Sequence, residues 1–482
     1  MSRLALQLSF RETVALVPTV DGGAVVRSRD TALTLREVTP GLARALRTLS
    51  SRAATEDELG ELVLDTDGPH ALARLYYYLE CFRAQALLCF ALADHDRALV
   101  VIEPMTGGFR PRHDGPADDA RFCLSRFACW RREGSDLVLE SPLSMARTVV
   151  RSHTGAALVF ELARSRSCAD LCTAIPGIDR ETVRAFLGLL AAAGVITAED
   201  ADGTLAEDAD PALAQWEFHD FLFHARSRSG RHDRPVGGTY PFIGRIPPLP
   251  ALKPAMQGRE VPLAVPDPAQ VGQRDLPLSR VLEGRRSIRA YGAEPMTAAQ
   301  LGEFLYRTVR VHDVIGVDPA QMHYYETSRR PYPSGGAAYD LELYVSVHRC
   351  TGLARGLYHY EPQAHRLRRL DGGDAYLDAL LQQAQRAAVL PAQPQILITL
   401  TSRFQRLAWK YRGLAYATTL KNVGVLYQTM YLVATAMELA PCALGTGDAA
   451  LFAEAIGTDY AVESSVGEFL LGSLPSGRDG SA

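Results

Sequence analysis

The sequence predicts an α+β protein in which two tandem winged helix-turn-helix units precede a larger domain, whose antiparallel or mixed sheet is flanked by helices. Two stretches in the N-terminal part of the chain show the same order of a strand and three helices. Amphipathic helices and buried strands occupy the C-terminal part, and a segment rich in Gly and Pro separates the two. The expected boundaries are 1–115 and 116–205 for the units, 206–275 for a connector and 276–482 for the C-terminal domain.

Length and composition exclude several classes of protein. A chain of 482 residues exceeds what one hydrophobic core usually organises, and 47% hydrophobic with 22% charged residues is typical of soluble globular proteins. The formal charge of −4 offers no bulk attraction to nucleic acid. No segment reaches the roughly 18 uninterrupted apolar residues of a membrane span. We therefore expect a cytoplasmic protein without a membrane partner.

The eight cysteines are scattered, with no CxxC pair and no Cys/His cluster at zinc-finger spacing. Cys168 and Cys172 are four residues apart in a predicted helix, where they could share a face and touch a metal or each other. Small buried side chains in a reducing compartment are the simpler interpretation. We predict no metal site.

The first unit begins with a short β-ribbon over residues 24 to 38. Thr39 and Pro40 then provide an N-cap and a proline at the first helical position. A capping box from Thr55 to Glu58 opens a second helix, and a third helix runs from Ala71 to Phe82.

Residues 130 to 200 repeat this order. We expect a strand at residues 137–140, a first helix at 156–164 and a short second helix at 168–173. Asp179 caps a third helix that ends at Gly194, and residues 195–197 start a wing strand.

Winged helices bind DNA in many proteins, whereas others hold a peptide as an added strand along a sheet edge. The exposed face of the third helix carries Arg180 and Arg184 but also Glu181, and further acidic residues lie nearby. Because DNA affinity comes largely from neutralised phosphates, this mixed surface argues against a nucleic-acid partner. Peptide capture and a purely structural role, bracing the catalytic domain or a dimer, both stay open.

The C-terminal domain opens with a helix that Ser279 caps and Gly284 ends. Three cations and a hydroxyl follow within five residues: Arg285, Arg286, Ser287 and Arg289. Guanidinium groups fork onto phosphate oxygens, so the cluster suits a singly phosphorylated cofactor. A solvated surface run is the alternative interpretation of the cluster taken alone.

A capping box at residues 297–300 opens the next helix, and a Pro-Ser-Gly-Gly run at 333–336 precedes a strand at 341–348. Ser334, Gly335 and Gly336 would let the backbone approach a flat ring closely, because glycine has no Cβ. A plain turn is the alternative. Residues 394–401 predict another buried strand.

Apolar residues at helical spacing from Leu420 to Met437 predict a long helix closed by Pro441. Gly445 and Thr446 lie in a second glycine turn, and residues 465–472 form a final strand. Lys410 and Tyr411 put an amine and a phenol where the long helix begins. Spacing alone would favour a surface lysine and a packing tyrosine at these two positions.

Taken in order, these motifs resemble those of FMN-dependent nitroreductases. The segment from Trp409 to Arg412 is similar to that of the SagB-type dehydrogenases, which oxidise thiazolines or oxazolines in ribosomally made peptides to thiazoles or oxazoles. Members with tandem winged-helix units ahead of the oxidase resemble this chain too. The pattern from Lys421 to Gly424 departs from the Ala-Gly-His run of that family.

The resemblance implies a nitroreductase-like C-terminal domain that binds FMN at the interface of a homodimer, centred on the long helix from about Leu414. It implies a modified precursor peptide as substrate and a cyclodehydratase as a possible partner. It assigns Lys410 and Tyr411 as the catalytic pair. The implied cofactor contacts are Arg285, Arg286, Ser287 and Arg289 on the phosphate and ribityl side, with Ser334, Gly335, Gly336, Gly445 and Thr446 beside the flavin.

An azoline becomes an azole by losing a proton beside its carbonyl and a hydride from the neighbouring ring carbon, and a flavin accepts the hydride. Lys410 would take the proton if burial and the adjacent Arg406 and Arg412 lowered its pKa, and Tyr411 would donate a hydrogen bond to the substrate. Which of the two is the base stays open. The alternative functions are an NAD(P)H-dependent reductase of nitro compounds, quinones or alkenes, and a non-catalytic winged-helix protein that binds a leader peptide or DNA.

Overall fold

The computed structural model describes residues 6–29, 31–94, 97–111 and 115–475. The chain divides after Arg234 into two compact units, so the division falls within the predicted connector. Each unit buries hydrophobic cores of its own. Within the described ranges, no helix combines the length and the apolar character needed to cross a membrane.

The N-terminal unit is mixed in secondary structure. Its strands are β1 (Gln7–Phe10), β2 (Ala15–Pro18), β3 (Ala24–Arg27), β4 (Ala32–Leu35), β5 (Ala54–Thr55), β6 (Leu88–Asp94), β7 (Arg97–Pro104), β8 (Arg121–Leu124), β9 (Cys129–Glu133), β10 (Asp136–Glu140), β11 (Ala146–Val150) and β12 (Ile196–Glu199). Its helices are α1 (Pro40–Ser51), α2 (Glu56–Asp67), α3 (Leu72–Ala84), α4 (His153–Glu161), α5 (Cys168–Ala174), α6 (Arg180–Ala192), α7 (Ala206–Ala209) and α8 (Phe218–Arg226).

One antiparallel sheet runs through this unit in the order β5-β1-β6-β7-β11-β10-β9. Strands β1 and β5–β7 come from the first predicted winged-helix unit, and β9–β11 come from the second. The helices of both share one hydrophobic core, to which α1 contributes Leu46, α3 Phe82 and α6 Phe186. The two helix-turn-helix segments are therefore built on a common sheet, which the sequence analysis did not predict.

The predicted helices are present, although two helix starts differ in detail. Thr39 precedes Pro40 at the start of α1, but its side chain makes no cap bond. Instead Asp67, the last residue of α2, accepts the N–H groups of Gly41 and Leu42, each at 3.0 Å. A carboxylate from a neighbouring helix thus satisfies the free donors of α1. Helix α4 begins at His153, ahead of the predicted start at residue 156, because the hydroxyl of the preceding serine caps it.

The cations on the third helix of the second segment are already paired. Arg180 and Arg184 of α6 lie 3.3 Å and 3.4 Å from the carboxylate of Asp118. A DNA phosphate would have to compete with this internal anion.

The C-terminal unit is organised around a second sheet. Its strands are β13 (Gly237–Gly238), β14 (Arg259–Pro262), β15 (Asp313–Ile315), β16 (Thr327–Arg329), β17 (Leu341–Val347), β18 (Gly356–Glu361), β19 (Arg366–Arg369), β20 (Ile396–Arg403), β21 (Tyr411–Arg412), β22 (Leu439–Leu444) and β23 (Glu463–Ser473). Its helices are α9 (Pro268–Arg274), α10 (Leu278–Gly284), α11 (Ala298–Val309), α12 (Asp374–Ala387), α13 (Gln405–Ala408), α14 (Ala415–Ala436) and α15 (Ala449–Ile456).

The main sheet is antiparallel, in the order β14-β19-β18-β17-β20-β23-β22. Helices α11 and α14 pack on one face, where Phe304 and Met430 meet Phe469 of β23. Helices α12 and α15 pack on the other, where Leu381 and Phe452 are buried. The predicted α+β class, with a helix-flanked sheet after helix-turn-helix segments, is confirmed.

Two predicted helix boundaries of this unit are wrong. Ser279 does not cap α10, because the helix already begins at Leu278 after Pro277, which leaves Ser279 in the first turn. Pro441 does not close α14. The helix ends at Ala436, and Pro441 lies in β22 at the edge of the sheet, where a missing N–H is tolerated.

Candidate active site

Lys410 and Tyr411 lie ahead of the long helix rather than in it. Lys410 follows α13, and Tyr411 belongs to the short strand β21, where it pairs with Gly238 of β13. The peptide carbonyl of Lys410 accepts the N–H of Tyr240, 3.0 Å away. The backbone around the amine is therefore held on two sides before α14 starts at Ala415.

Arg406 holds the segment before Lys410 in place through hydrogen bonds to backbone carbonyls. Its buried guanidinium donates to the carbonyls of Leu249 (2.5 Å), Glu326 (2.8 Å) and Ala338 (2.6 and 2.9 Å). Burial, with the nearby charge of Arg403, lowers the pKa of Arg406 to about 10, so the group stays cationic at neutral pH. The hydrogen bonds of Arg406 therefore go to backbone carbonyl oxygens and hold these backbone segments together.

Three phenols surround the amine, and we refer to Tyr240, Tyr325 and Tyr411 as the tyrosine cage. Lys410 Nζ lies 5.1 Å from the ring centroids of Tyr325 and Tyr411 and 5.8 Å from that of Tyr240. An aromatic ring attracts a cation within about 6 Å of its centroid. Nζ also donates a hydrogen bond of 2.9 Å to Tyr325 Oη. The cage favours the charged form of the amine.

The direction of the Lys410 pKa follows from these contacts. Burial lowers the pKa of Lys410, but the hydrogen bond to Tyr325 and the cage phenols outweigh burial and raise it above its ordinary value. Burial lowers the pKa of Lys410 as predicted, but the net shift is upward, so the predicted net lowering is wrong. Arg412 is exposed, and Arg406 is occupied by carbonyls. At neutral pH Lys410 is an ammonium.

The predicted glycine turn faces the same groups. Gly336 has a φ of 62°, in the left-handed region, and its carbonyl accepts a 2.6 Å hydrogen bond from Tyr325 Oη. A Cβ built on Gly336 would lie 2.5 Å from both Lys410 Nζ and Tyr411 Oη. Only a residue without a side chain fits here, so the structure brings Gly336, Lys410 and Tyr411 together at one point.

A buried carboxylate orients this turn through α14. Asn422 accepts the N–H of Gly335 at 3.0 Å and donates to Asp340 at 2.7 Å. Asp340 also accepts the hydroxyls of Ser402 (2.7 Å) and Thr419 (2.8 Å). Asn422 belongs to the stretch from Lys421 to Gly424 that departs from the family pattern, and it holds the glycine turn in place. Ser334 closes the turn by accepting the N–H of the residue five positions later.

The arginine segment lies along the other half of α14. Ser287 Oγ is 2.7 Å from the hydroxyl of Tyr431, and the guanidinium carbon of Arg285 is 5.3 Å from that ring. Arg286 and Arg289 are exposed. In the described part of the chain, none of the three guanidinium groups forms an ion pair with a carboxylate. They are available to an anion.

Helix α14 therefore contacts both the glycine turn and the arginine segment, at two separate points along its length. Asn422, at the glycine turn, and Tyr431, at the arginine segment, are nine residues apart on α14. At 1.5 Å per residue this is about 14 Å along the helix axis. A cofactor with a ring at one end and a phosphate at the other could contact both groups across this spacing.

Gly445 and Thr446 form an exposed turn between β22 and α15. A Cβ on Gly445 would meet nothing within 4 Å, so its surroundings are open. Thr446 lines a cavity of about 850 Å³ together with Gln383, Arg386 and Tyr460. These contacts are with α12 and the segment after α15, and they do not include the cage.

The arrangement suits a flat, singly phosphorylated cofactor. Guanidinium groups without a carboxylate partner in the described ranges, together with a hydroxyl, match phosphate oxygens. The absence of a side chain at Gly336 leaves room beside the amine and the phenol. Across the described ranges, no three His, Cys, Asp or Glu side chains are grouped to hold a metal ion.

Tyr240, Tyr325 and Asp340 lie in the site but are not predicted by the sequence motifs. The glycine pair ahead of Tyr240 pairs with β21, and this is the local signal that would have pointed to it. Tyr325 lies in an aromatic stretch with Tyr324 that has no periodicity to mark it. The contact of Asp340 with α14 joins residues far apart in the chain, and local pattern carries no trace of it.

Family models match three parts of the chain. The helix-turn-helix domain of ThcOx matches residues 1–112, the cyanobactin oxidase ThcOx matches residues 122–233, and the nitroreductase family matches residues 282–473. The matched ranges include both helix-turn-helix segments and the site around Lys410.

Individual proteins also resemble the chain. A protein of Methanocaldococcus jannaschii that carries the name putative nitroreductase is 30% identical over 175 residues, covering 36% of this chain and 79% of the relative. A solved structure of the same name from Ralstonia eutropha is 18% identical and covers 50% of this chain and 100% of the other, with a TM-score of 0.36. The E. coli microcin synthetase McbBCD complex with truncated pro-MccB17 is 20% identical and covers 41% of this chain and 74% of the other, with a TM-score of 0.32.

Proposed function

Because this chain belongs to the nitroreductase family and its N-terminal part matches the cyanobactin oxidase models, we propose that it is an FMN-dependent dehydrogenase of azoline-containing peptides. It oxidises thiazoline or oxazoline rings in a ribosomally made peptide to thiazoles or oxazoles. The observation that carries the proposal is that Lys410 Nζ and Tyr411 Oη both lie next to Gly336, where the absence of a side chain leaves space. Loss of a proton and a hydride from one ring needs polar groups and a flat electron acceptor in one place.

The cofactor contacts are assigned by residue. Arg285, Arg286 and Arg289, which form no ion pair with a carboxylate among the described residues, bind the phosphate and ribityl side together with Ser287. Bound flavin supplies the hydride acceptor for ring oxidation. Ser334, Gly335 and Gly336 are assigned to the side of the ring that faces Lys410 and Tyr411. Gly445 and Thr446, on an open turn that does not contact the cage, are kept as flavin contacts because the family resemblance implies them.

The raised pKa of Lys410 bears on which of the two groups is the base, a question that the sequence left open. An ammonium cannot accept a proton, so Lys410 donates a hydrogen bond to the substrate carbonyl and stabilises the negative charge that develops there. Tyr411, whose hydroxyl reaches the same point, takes the proton from the carbon beside the carbonyl as a phenolate and becomes the neutral phenol, since a neutral phenol has no place for a second proton.

A homodimer is supported by apolar side chains that this chain leaves exposed on two neighbouring helices. Leu278 and Leu282 of α10 are 64% and 48% exposed, and Leu420 and Val425 of α14 are 40% and 38% exposed. Helices α10 and α14 pack against each other, so these residues belong to one region of the unit. A second copy would bury them, in line with a cofactor site shared between subunits.

The N-terminal unit recognises the modified precursor peptide. Its match to the oxidase models over both helix-turn-helix segments supports this role, and the internal pairing of Arg180 and Arg184 disfavours DNA. A cyclodehydratase, which would form the azoline, is the corresponding partner.

Incubation of the FMN-loaded protein with an azoline-bearing peptide tests the activity. The peptide should lose about 2 Da, the mass of the two hydrogens removed, while flavin absorbance bleaches under anaerobic conditions. NADPH alone in a parallel sample tests the reductase alternative. Bleaching by NADPH with no change in peptide mass would replace the dehydrogenase with a nicotinamide-driven reductase.

Substitution of Lys410 separates a donor from a base. Lys410→Arg keeps positive charge and donors but cannot act as a base, whereas Lys410→Ala removes both. We expect Lys410→Arg to reduce flavin within about tenfold of the parent rate, and Lys410→Ala to lose about 100-fold or more. Tyr411→Phe should lose about 100-fold or more as well. If Lys410→Arg is as slow as Lys410→Ala while Tyr411→Phe is unaffected, Lys410 is the base.

A further inference from the structure

Tyr325 occupies the centre of the site without belonging to either predicted motif. Its hydroxyl accepts the hydrogen bond from Lys410 Nζ at 2.9 Å and donates to the carbonyl of Gly336 at 2.6 Å. A phenol has one hydrogen to donate, and that hydrogen is spent on the turn. The direction of the lysine bond is thereby determined, since the hydroxyl can only accept from the amine.

The ring of Tyr325 is itself fixed in position. The residue is only 2% exposed and packs with Leu407, Ala338 and Trp409 in a small core. The guanidinium carbon of Arg406 lies 5.6 Å from its ring centroid and is tied to surrounding carbonyls. The hydroxyl is therefore a rigid point to which a flexible lysine side chain can be tied.

We infer that Tyr325 is a positioning residue that couples Lys410 to the Ser334–Gly336 turn, setting both the place and the charge of the amine. The inference rests on the proposed function for the importance of Lys410 but not for the coupling itself. An ammonium has three N–H bonds, and Tyr325 takes one. The others remain for the cage and for a substrate. The turn that would lie beside the flavin and the group that would contact the substrate are joined through one hydroxyl.

The groups around the amine make the charge sensitive to this hydroxyl. Tyr325, Tyr411 and Tyr240 face Lys410, while Arg406 and the ring of His323 contact Tyr325. Burial lowers the pKa of Lys410, and the bond to Tyr325 is the first of the contributions that raise it. Removing the hydroxyl takes away a contribution that raises the pKa of Lys410, while burial still lowers it. The amine should therefore lose its proton at lower pH.

The scarcity of lysine makes the charge measurable in the full chain. The sequence contains only three lysines, Lys253, Lys410 and Lys421. Lys253 is nine-tenths enclosed in an ion pair with Glu463, and Lys421 is exposed on α14. Each can be followed separately by peptide mass mapping after acetylation with acetic anhydride, which reacts with the neutral amine. Lys421 serves as the internal reference.

Tyr325→Phe keeps the ring and removes the hydroxyl. We expect acetylation of Lys410 relative to Lys421 to rise about tenfold at a fixed pH near 9, and the midpoint of its pH dependence to fall by about one unit. Tyr324→Phe is the matched control, because its ring packs on Tyr240 at 5.1 Å outside the Lys410 bond. It should leave the ratio unchanged. An unchanged ratio in Tyr325→Phe, or an equal change in Tyr324→Phe, would overturn the inference.

A second measurement is made with Tyr325 in place and so does not depend on the Tyr325→Phe variant folding. With ¹⁵N-lysine, the Lys410 Nζ resonance, identified by its loss in Lys410→Arg, should be protected from exchange at pH 7. A resonance that exchanges as fast as that of Lys421 would reject the bond to Tyr325. Neither readout needs peptide oxidation, so absence of azole formation would count against the proposed function alone. If azoles do form, Tyr325→Phe should also move the high-pH limb of flavin reduction to lower pH.

Discussion

Substitution of Gly336 by alanine tests the geometry of the site most directly. The added Cβ would lie 2.5 Å from Lys410 Nζ and from Tyr411 Oη, whereas such atoms rest at about 3.5 Å. The two groups, or the turn, must therefore move by about 1 Å. The left-handed φ of 62° adds a backbone cost of about 1 kcal/mol for a residue with a Cβ.

The expected result is a large loss of rate with a small loss of stability. A displacement of about 1 Å in groups that orient a reacting ring costs about 100-fold, so single-turnover flavin reduction by an azoline peptide should slow by that factor. Stopped-flow absorbance of the flavin gives the rate. Denaturant unfolding should show only the cost of about 1 kcal/mol from the backbone.

Gly457→Ala provides the matched control. Gly457 has a φ of 68°, close to that of Gly336, and a Cβ there would meet nothing within 4 Å. Its backbone cost should be similar, and its flavin reduction should match the parent rate. If Gly336→Ala reduces flavin as fast as Gly457→Ala, the missing side chain is not what holds the amine and phenol in place.

Two further predictions concern stability. The hydroxyl of Tyr332 is buried without a hydrogen-bond partner in the described structure, so Tyr332→Phe should raise the unfolding free energy by about 1 kcal/mol, and an unchanged or lower thermal midpoint would contradict this. Burial raises the pKa of Glu342, but its hydrogen bond with His359 and the charges of His359 and Arg403 outweigh burial and lower the pKa to about 2. A lowered folded-state pKa adds stability above about pH 4.5 that is lost as pH falls through about 2, a change of about 3 kcal/mol. Glu342→Gln should flatten the acid limb of denaturant unfolding, and an acid limb as steep as that of the parent would refute the assignment.

Local signals were sufficient to predict much of the fold. The capping boxes at Thr55 and Thr297 open helices as expected, because an N-cap and its third-residue partner satisfy each other within one turn. Strands β17, β20 and β23 also appear where apolar runs indicated them. Pairings between distant segments could not be predicted this way. The contact of β7 with β11 depends on residues more than forty positions apart, and neither strand's pattern specifies its partner.

The site follows the same division. Lys410 and Gly336 stood out in the sequence because they lie in recognisable short motifs, and the structure brings them together. The charge of Lys410 could not be predicted from its sequence neighbours. Tyr325 makes the largest contribution that raises the pKa of Lys410, followed by the adjacent Tyr411 and by Tyr240. Tyr325 and Tyr240 reach the amine from separate parts of the chain, whereas the nearby Arg406 is turned to backbone carbonyls.

The continuous sheet of the N-terminal unit also limits how that unit can be divided. Strand β7 pairs with β6 on one side and with β11 on the other. A fragment of the chain that ends before β9 would leave the amide and carbonyl groups on one side of β7 without partners. Such an exposed sheet edge can pair with other chains and cause aggregation. A truncation or a domain exchange therefore has to keep the two helix-turn-helix segments together.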